Sequence, residues 1–199
     1  MVNNMDKKQS ELKNLVEQTK KREKIKKEKV DIKWIITIII VAFIISFGLS
    51  FVANSTIPNL SLVFGIIITL VFILIGIIFD IVGVSVTSAD EAVFHSMASR
   101  KVKGAQTAVK LKKNADKTSS FCCDVIGDIC GVISGAAGTT ICAILVTKYH
   151  TDLLLTGLIL TAVISSLTIG GKALGKSFAI NKSDIILYEF SKFISNFYH

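Results

Sequence analysis

Three carboxylates stand in stretches of this chain where charge is otherwise scarce. Asp80 interrupts the apolar run Leu70–Thr87, and Asp124 and Asp128 lie four residues apart in a later, less hydrophobic run. A carboxylate at mid-bilayer costs roughly 2.5–3.5 kcal/mol even on a lenient insertion scale, so such groups persist where they face a polar cavity, meet a cation or stay protonated. Few basic residues share that depth, which favours a role as cation ligands over a merely tolerated interfacial position. Asp124 fits the interfacial position best of the three. An oxygen-rich stretch, Ser85, Thr87, Ser88, Asp90 and Glu91, closes the run that holds Asp80. Hard oxygen donors of this kind suit Mg²⁺ or Na⁺ better than a soft transition metal. The soft donors are not arranged for a metal: Cys122, Cys123, Cys130 and Cys142 match no zinc or redox spacing, and His95, His150 and His199 are scattered. Neither a nucleophile–base pair nor a phosphate loop is present, so the chain is not read as an enzyme.

The elements that must position these groups are apolar helices. Hydrophobic residues make up 51% of the 199 residues and mean hydropathy is positive, yet the net charge is +8. The two properties occupy separate blocks, as when spans alternate with solvated segments. About 20 predominantly apolar residues cross a bilayer as a helix. Four stretches qualify: Trp34–Ala53, Ser61–Thr87, Ser119–Thr147 and Leu153–Gly170. Lipid satisfies no backbone hydrogen bonds, which excludes loops or open strands as spans. The expected fold is therefore an all-α integral membrane protein of four transmembrane helices, with a cytosolic helical hairpin between the second and third. In that hairpin Ala89–Val102 and Ala105–Lys113 suit two helices, broken at Gly104 and ended by Asn114.

Lysine and arginine set the orientation. Residues 1–33 carry eleven, Thr87–Thr118 seven and the segment from Gly171 onward four, against none in 54–60 and only Lys148 in 148–152. The positive-inside rule places both termini and the middle loop in the cytoplasm, in a multi-pass protein of the cell membrane. The first span starts too far from Met1, and is too long, for a cleaved signal peptide. The basic segment 1–33 reads as a solvated, partly helical tail that lies close to anionic lipid. It lacks the aromatic interleaving of a nucleic-acid site, so no nucleic-acid partner is expected. The sequons at Asn54 and Asn59 sit too near the lipid to carry weight. Gly127, Gly131, Gly135 and Gly138 line one helix face, where another backbone can approach closely. The partner is either a span of the same chain or a second copy.

Several stretches together resemble the transmembrane domain of the CorB/CorC/cyclin-M family, which includes Mg²⁺ transporters and Mg²⁺/Co²⁺ export proteins. Ser88-Ala-Asp-Glu91-Ala looks like its small-small-Glu-x-Ala motif. Lys103 to Asp116 follows its basic and Ala-rich helix pattern. Ile126 to Gly138 is similar to its Gly-rich polar helix, and Gly171 to Ala179 to its Gly-Glu-x-x-Pro-Lys-x-x-Ala stretch. The resemblance covers roughly residues 61–185. It implies a dimeric cation transporter domain, with Mg²⁺, or alternatively Co²⁺, as substrate ion between the core helices. Carried over by position, Ser88, Glu91 and Asp128 are the expected metal ligands or ligand organisers. The chain departs from the pattern at three places: Lys172 replaces the Glu, Gly175 replaces the Pro, and Val132 stands at a second polar position. Either Asp128 compensates the charge of Lys172, or Lys172 pairs with an intramembrane aspartate and fills the site, leaving a non-transporting scaffold or regulator.

The expected organisation is a basic cytosolic tail (1–33), an additional span and outer loop (34–60), a CorB/CorC-like domain (61–185) and a cytosolic C-terminal tail (186–199). The nucleotide-sensing pair and C-terminal domain that usually follow in the family are not expected, so a separate cytosolic regulatory partner would take their role. The other expected partners are the lipid bilayer, a divalent cation and a second copy in a homodimer.

Overall fold

The computed structural model describes residues 32–56 and 61–197. The expected basic tail therefore lies, apart from its last two residues, outside the described residues, as do Asn59 and His199. The chain divides between Ile39 and Ile40 into two compact units. Of the first, the described residues are 32–39, which open helix α1 (Ile32–Thr56).

The second unit holds every other element. Helix α2 runs over Leu62–Ser88, α3 over Glu91–Ser99, α4 over Ala105–Lys113 and α5 over Ala115–Ser120. A π-helical segment, Phe121–Gly127, leads into α6 (Asp128–Tyr149). Then come α7 (Leu153–Asn181) and α8 (Ser183–Phe197). Among the described residues, four stretches are long and apolar enough to cross a membrane: Ile32–Ala53, Leu62–Ser88, Ala115–Tyr149 and Leu153–Asn181. The protein is a multi-pass, all-helical membrane protein among its described residues. The third stretch is longer than hydropathy implied, because α5 and the π turn continue the helix axis through its polar start. The fourth extends past Gly170, since Lys172 and Lys176 are carried on the same unbroken helix.

Helix α2 is the central element. Its buried positions Gly65, Thr69, Ile73, Gly76, Asp80 and Gly83 recur every three or four residues, so one stripe faces the interior. The opposite side, with Val63, Phe64, Ile67, Leu70 and Leu74, is exposed, as expected of a lipid-facing surface. The stripe packs against the π segment, α6 and α7. Small residues bring the backbones together. A Cβ on Gly76 would stand 3.1 Å from the Cys130 Cβ, and one on Gly83 would stand 3.1 Å from the Ser119 carbonyl oxygen. Without a hydrophobic driving force inside lipid, such close packing supplies much of helix association.

At the Ser88 end of α2 a compact cap forms. Phe94, Ala108 and Leu187, each fully buried, bring α3, α4 and α8 together against Val82 and Val86. Asp90 caps α3 by accepting the Ala92 N–H at 2.9 Å, and the Asp184 carboxylate accepts the Asp90 N–H at 2.9 Å. Lys112 Nζ donates to the Val86 and Thr87 carbonyl oxygens at 3.1 and 2.8 Å, which meets two of the acceptors that a helix end leaves free. Gly104 joins α3 to α4 with φ +85°, and a Cβ there would lie 2.9 Å from the Lys192 Cα. Both facts demand glycine. The segment expected as a C-terminal tail is thus largely helix α8, part of this cap.

Candidate cation site

The interior of the second unit brings two carboxylates to one ammonium group. Asp80 comes from the buried stripe of α2, Asp128 from the first residue of α6 and Lys172 from α7. Lys172 Nζ donates to Asp128 Oδ1 at 3.0 Å and stands 4.0 Å from Asp80 Oδ1. The Asp80 side chain is 10% exposed, that of Lys172 23% and that of Asp128 67%. The three formal charges leave a surplus of one negative charge.

Local backbone structure explains why these side chains meet. The π segment ends immediately before Asp128, and such wide turns often sit at functional sites because they re-phase the residues that follow. Gly127 closes the turn; a Cβ there would lie 3.5 Å from Lys172 Nζ and 3.6 Å from the Gly76 carbonyl oxygen. The bare Gly127 surface therefore forms one wall of the ammonium's seat. On α7, Gly171 and Gly175 face Ile77 and Ile81 of α2. This close crossing holds α7 so that Lys172 reaches inward rather than toward lipid. The Cys123 thiol donates to the Asp80 backbone carbonyl at 3.6 Å, which ties the π segment to α2 at the same level.

The other interior oxygen donors are engaged locally. The Ser85 hydroxyl donates to the Ile81 carbonyl oxygen at 2.8 Å, Thr69 to Gly65 at 2.9 Å and Ser134 to Cys130 at 2.7 Å. Such bonds to the carbonyl four residues earlier satisfy a hydroxyl within its own helix. The two carboxylates are therefore the anionic groups of the locus. Among the described residues, no group of three or more His, Cys, Asp or Glu side chains is arranged to hold a metal ion. A magnesium ion does not require one, since it commonly retains several waters and takes one or two carboxylates.

The expected ligands do not all assemble. Asp128 is at the locus. Ser88 is exposed at the end of α2, eight residues beyond Asp80 and thus roughly 12 Å further along the axis. Glu91 opens α3, where its carboxylate pairs with His95 Nε2 at 3.2 Å. Asp124 is exposed on the π segment. The locus is completed by Asp80, which the resemblance did not carry over as a ligand, and by Lys172, whose ammonium is a counter-ion and not a ligand. Each carried its own signal in the sequence: Asp80 as a charge inside an apolar run, Lys172 as a departure from the family pattern.

The glycine row on the third stretch proves to have two kinds of environment. Gly127 and Gly138 meet other parts of the chain, the latter against the Ile164 side chain. A Cβ on Gly131 or Gly135 would meet nothing within 4 Å, and Val132 between them is 64% exposed.

No protein-family model, curated protein or solved structure matches this chain.

Proposed function

We propose that this protein binds a divalent cation within the membrane and moves it across, with Mg²⁺ ahead of Co²⁺ as substrate and without catalysing a covalent reaction. The observation that carries this reading is the convergence of Asp80 and Asp128, from two separate long apolar helices, on one cation with negative charge to spare. Intramembrane ionisable groups that face the interior, as Asp80 does, commonly mark ion pathways. Oxygen ligands without accompanying thiolates or imidazoles favour a hard cation. The order of motifs that resembles the CorB/CorC/cyclin-M domain supports the same substrate class. With the termini and the α3–α4 hairpin in the cytoplasm, Ser88 and Glu91 stand at the cytoplasmic mouth, Ser88 roughly 12 Å along the α2 axis from Asp80. A second copy docked on the open Gly131–Gly135 face would leave the exposed Asp128 beside the dimer seam instead of facing lipid.

Proteoliposomes loaded with a Mg²⁺-sensitive dye test the reading. Wild type gives flux above empty vesicles, and Asp80→Asn and Asp128→Asn each reduce it at least about tenfold, the loss expected when about 1.4 kcal/mol of ion stabilisation disappears. Flux equal to that of empty vesicles, or unchanged in both variants, removes the proposal.

One observation favours a second reading. Lys172 already donates to Asp128 at 3.0 Å, so its ammonium can serve as the permanent occupant of a degenerate site. The chain would then be a non-transporting scaffold that binds another membrane protein. That reading expects no Mg²⁺-dependent thermal shift and co-purification of a distinct membrane partner.

A further inference from the structure

We propose that Lys172 is a displaceable internal counter-ion, whose ammonium a divalent cation must expel in order to bind between Asp80 and Asp128. The inference rests on the cation-binding function proposed above and specifies how that site is regulated.

Charge balance is the first argument. Two carboxylates and one ammonium leave one negative charge over, and the ammonium is shared unevenly, at 3.0 Å from Asp128 and 4.0 Å from Asp80. Asp80 is nine-tenths buried, yet its nearest cation stops short of hydrogen-bonding distance. A divalent ion added with the ammonium in place leaves a net positive charge at membrane depth, where uncompensated charge is costly. With the ammonium withdrawn, two carboxylates and one divalent ion are neutral. The ammonium-held state is one charge short of neutrality and the exchanged state is neutral, so replacing the ammonium, rather than adding a second cation beside it, balances the locus.

Geometry is the second argument. The Lys172 side chain keeps 23% of its surface exposed and lies nine residues before the end of α7. A lysine at such a position can swing its ammonium toward the interface along its apolar stem. Gly127 presents no side chain to the ammonium, so the seat can empty without a neighbour moving aside. Asp128, at 67% exposure, is the more open ligand and offers the point of entry.

The test uses the full chain in nanodiscs, stripped of metal with a chelator and titrated with MgCl₂. Thermal unfolding is read for wild type, Lys172→Gln and Lys172→Arg. Removing the competing cation lowers the Mg²⁺ concentration at half-maximal stabilisation by about tenfold or more in Lys172→Gln. Lys172→Arg keeps the charge and stays at or above the wild-type midpoint. On wild type alone, modification of Lys172 by an amine-reactive reagent, quantified by peptide mass spectrometry, rises with Mg²⁺; this arm decides the matter if Lys172→Gln does not fold. A midpoint for Lys172→Gln within twofold of wild type overturns displacement while cation binding stands, provided that Asp128→Asn abolishes the shift. Labelling of Lys172 that falls or stays level with Mg²⁺, while wild type is still stabilised, does the same. Absence of any Mg²⁺ effect in wild type and Lys172→Gln overturns both the displacement and the function beneath it.

Discussion

Replacing Lys172 with methionine removes the ammonium while keeping a long apolar stem, and its effect on stability can be worked from the site. Asp80 is left nine-tenths buried with no cation beside it, whereas Asp128 is 67% exposed and is the less desolvated of the two. Breaking a fully buried pair by removing one partner costs about 3–5 kcal/mol. Only Asp80 fits that description, and at 4.0 Å it was the more weakly held partner, so about 2 kcal/mol is the expected loss. For a chain of this size each kcal/mol moves the melting temperature by about 2–4 °C, giving a drop of about 4–8 °C. The molecule carries its own reporters: Cys122, Cys130 and Cys142 are buried free thiols. A fluorogenic maleimide reads their exposure during a thermal ramp in chelator-containing buffer. The double variant Lys172→Met/Asp80→Asn separates charge from packing. Because the amide no longer needs a counter-ion, the double variant recovers most of the loss. If Lys172→Met melts with wild type, or if the double variant melts no higher than the single one, the ammonium does not compensate Asp80 and the reasoning is refuted.

Two further substitutions probe features away from the carboxylates. Gly104→Ala places a Cβ against the Lys192 backbone at a residue with φ +85°, so a loss of about 1–3 kcal/mol is expected, with earlier proteolysis of α8 in a limited-digestion time course as the check. A Cβ at Gly135 meets nothing within 4 Å, so Gly135→Leu should leave the stability of the chain within about 1 kcal/mol of wild type while reducing intermolecular cross-linking in lipid; unchanged cross-linking would remove the Gly131–Gly135 face from the dimer proposal.

Much of the helical framework was legible because lipid imposes simple demands. The long apolar runs of α1 and α2 state their own length, and Gly104 and Asn114 bracket α4 because one supplies a positive φ and the other stops a basic helix. The ends of the spans were less legible. Lys172 and Lys176 lowered the hydropathy of α7 before its helix stopped, and helix continuity depends on backbone hydrogen bonds, not on apolarity. The π turn left no periodic mark either. It lies where Gly83 and Gly76 closely approach Cys122, Gly127 and Cys130, a tertiary contact that no local propensity encodes.

The same distinction explains the split in the expected ligand set. Ser88 and Glu91 follow Asp80 closely in sequence, but a straight helix carries Ser88 roughly 12 Å along the axis, and Glu91 lies past the end of that helix, at the start of α3. Asp128 and Lys172 are far away in sequence and meet Asp80 because glycines on α2, the π segment and α7 let three backbones close at one level. Chemistry-bearing residues in apolar helices are thus read more safely by depth than by motif. A charge within one span is stabilised by a counter-charge at the same depth in another. Applied to this chain, that rule pairs Asp80 and Asp128 with Lys172, the one basic residue carried inward on α7, and the surplus negative charge then becomes the property that a mobile cation would recognise.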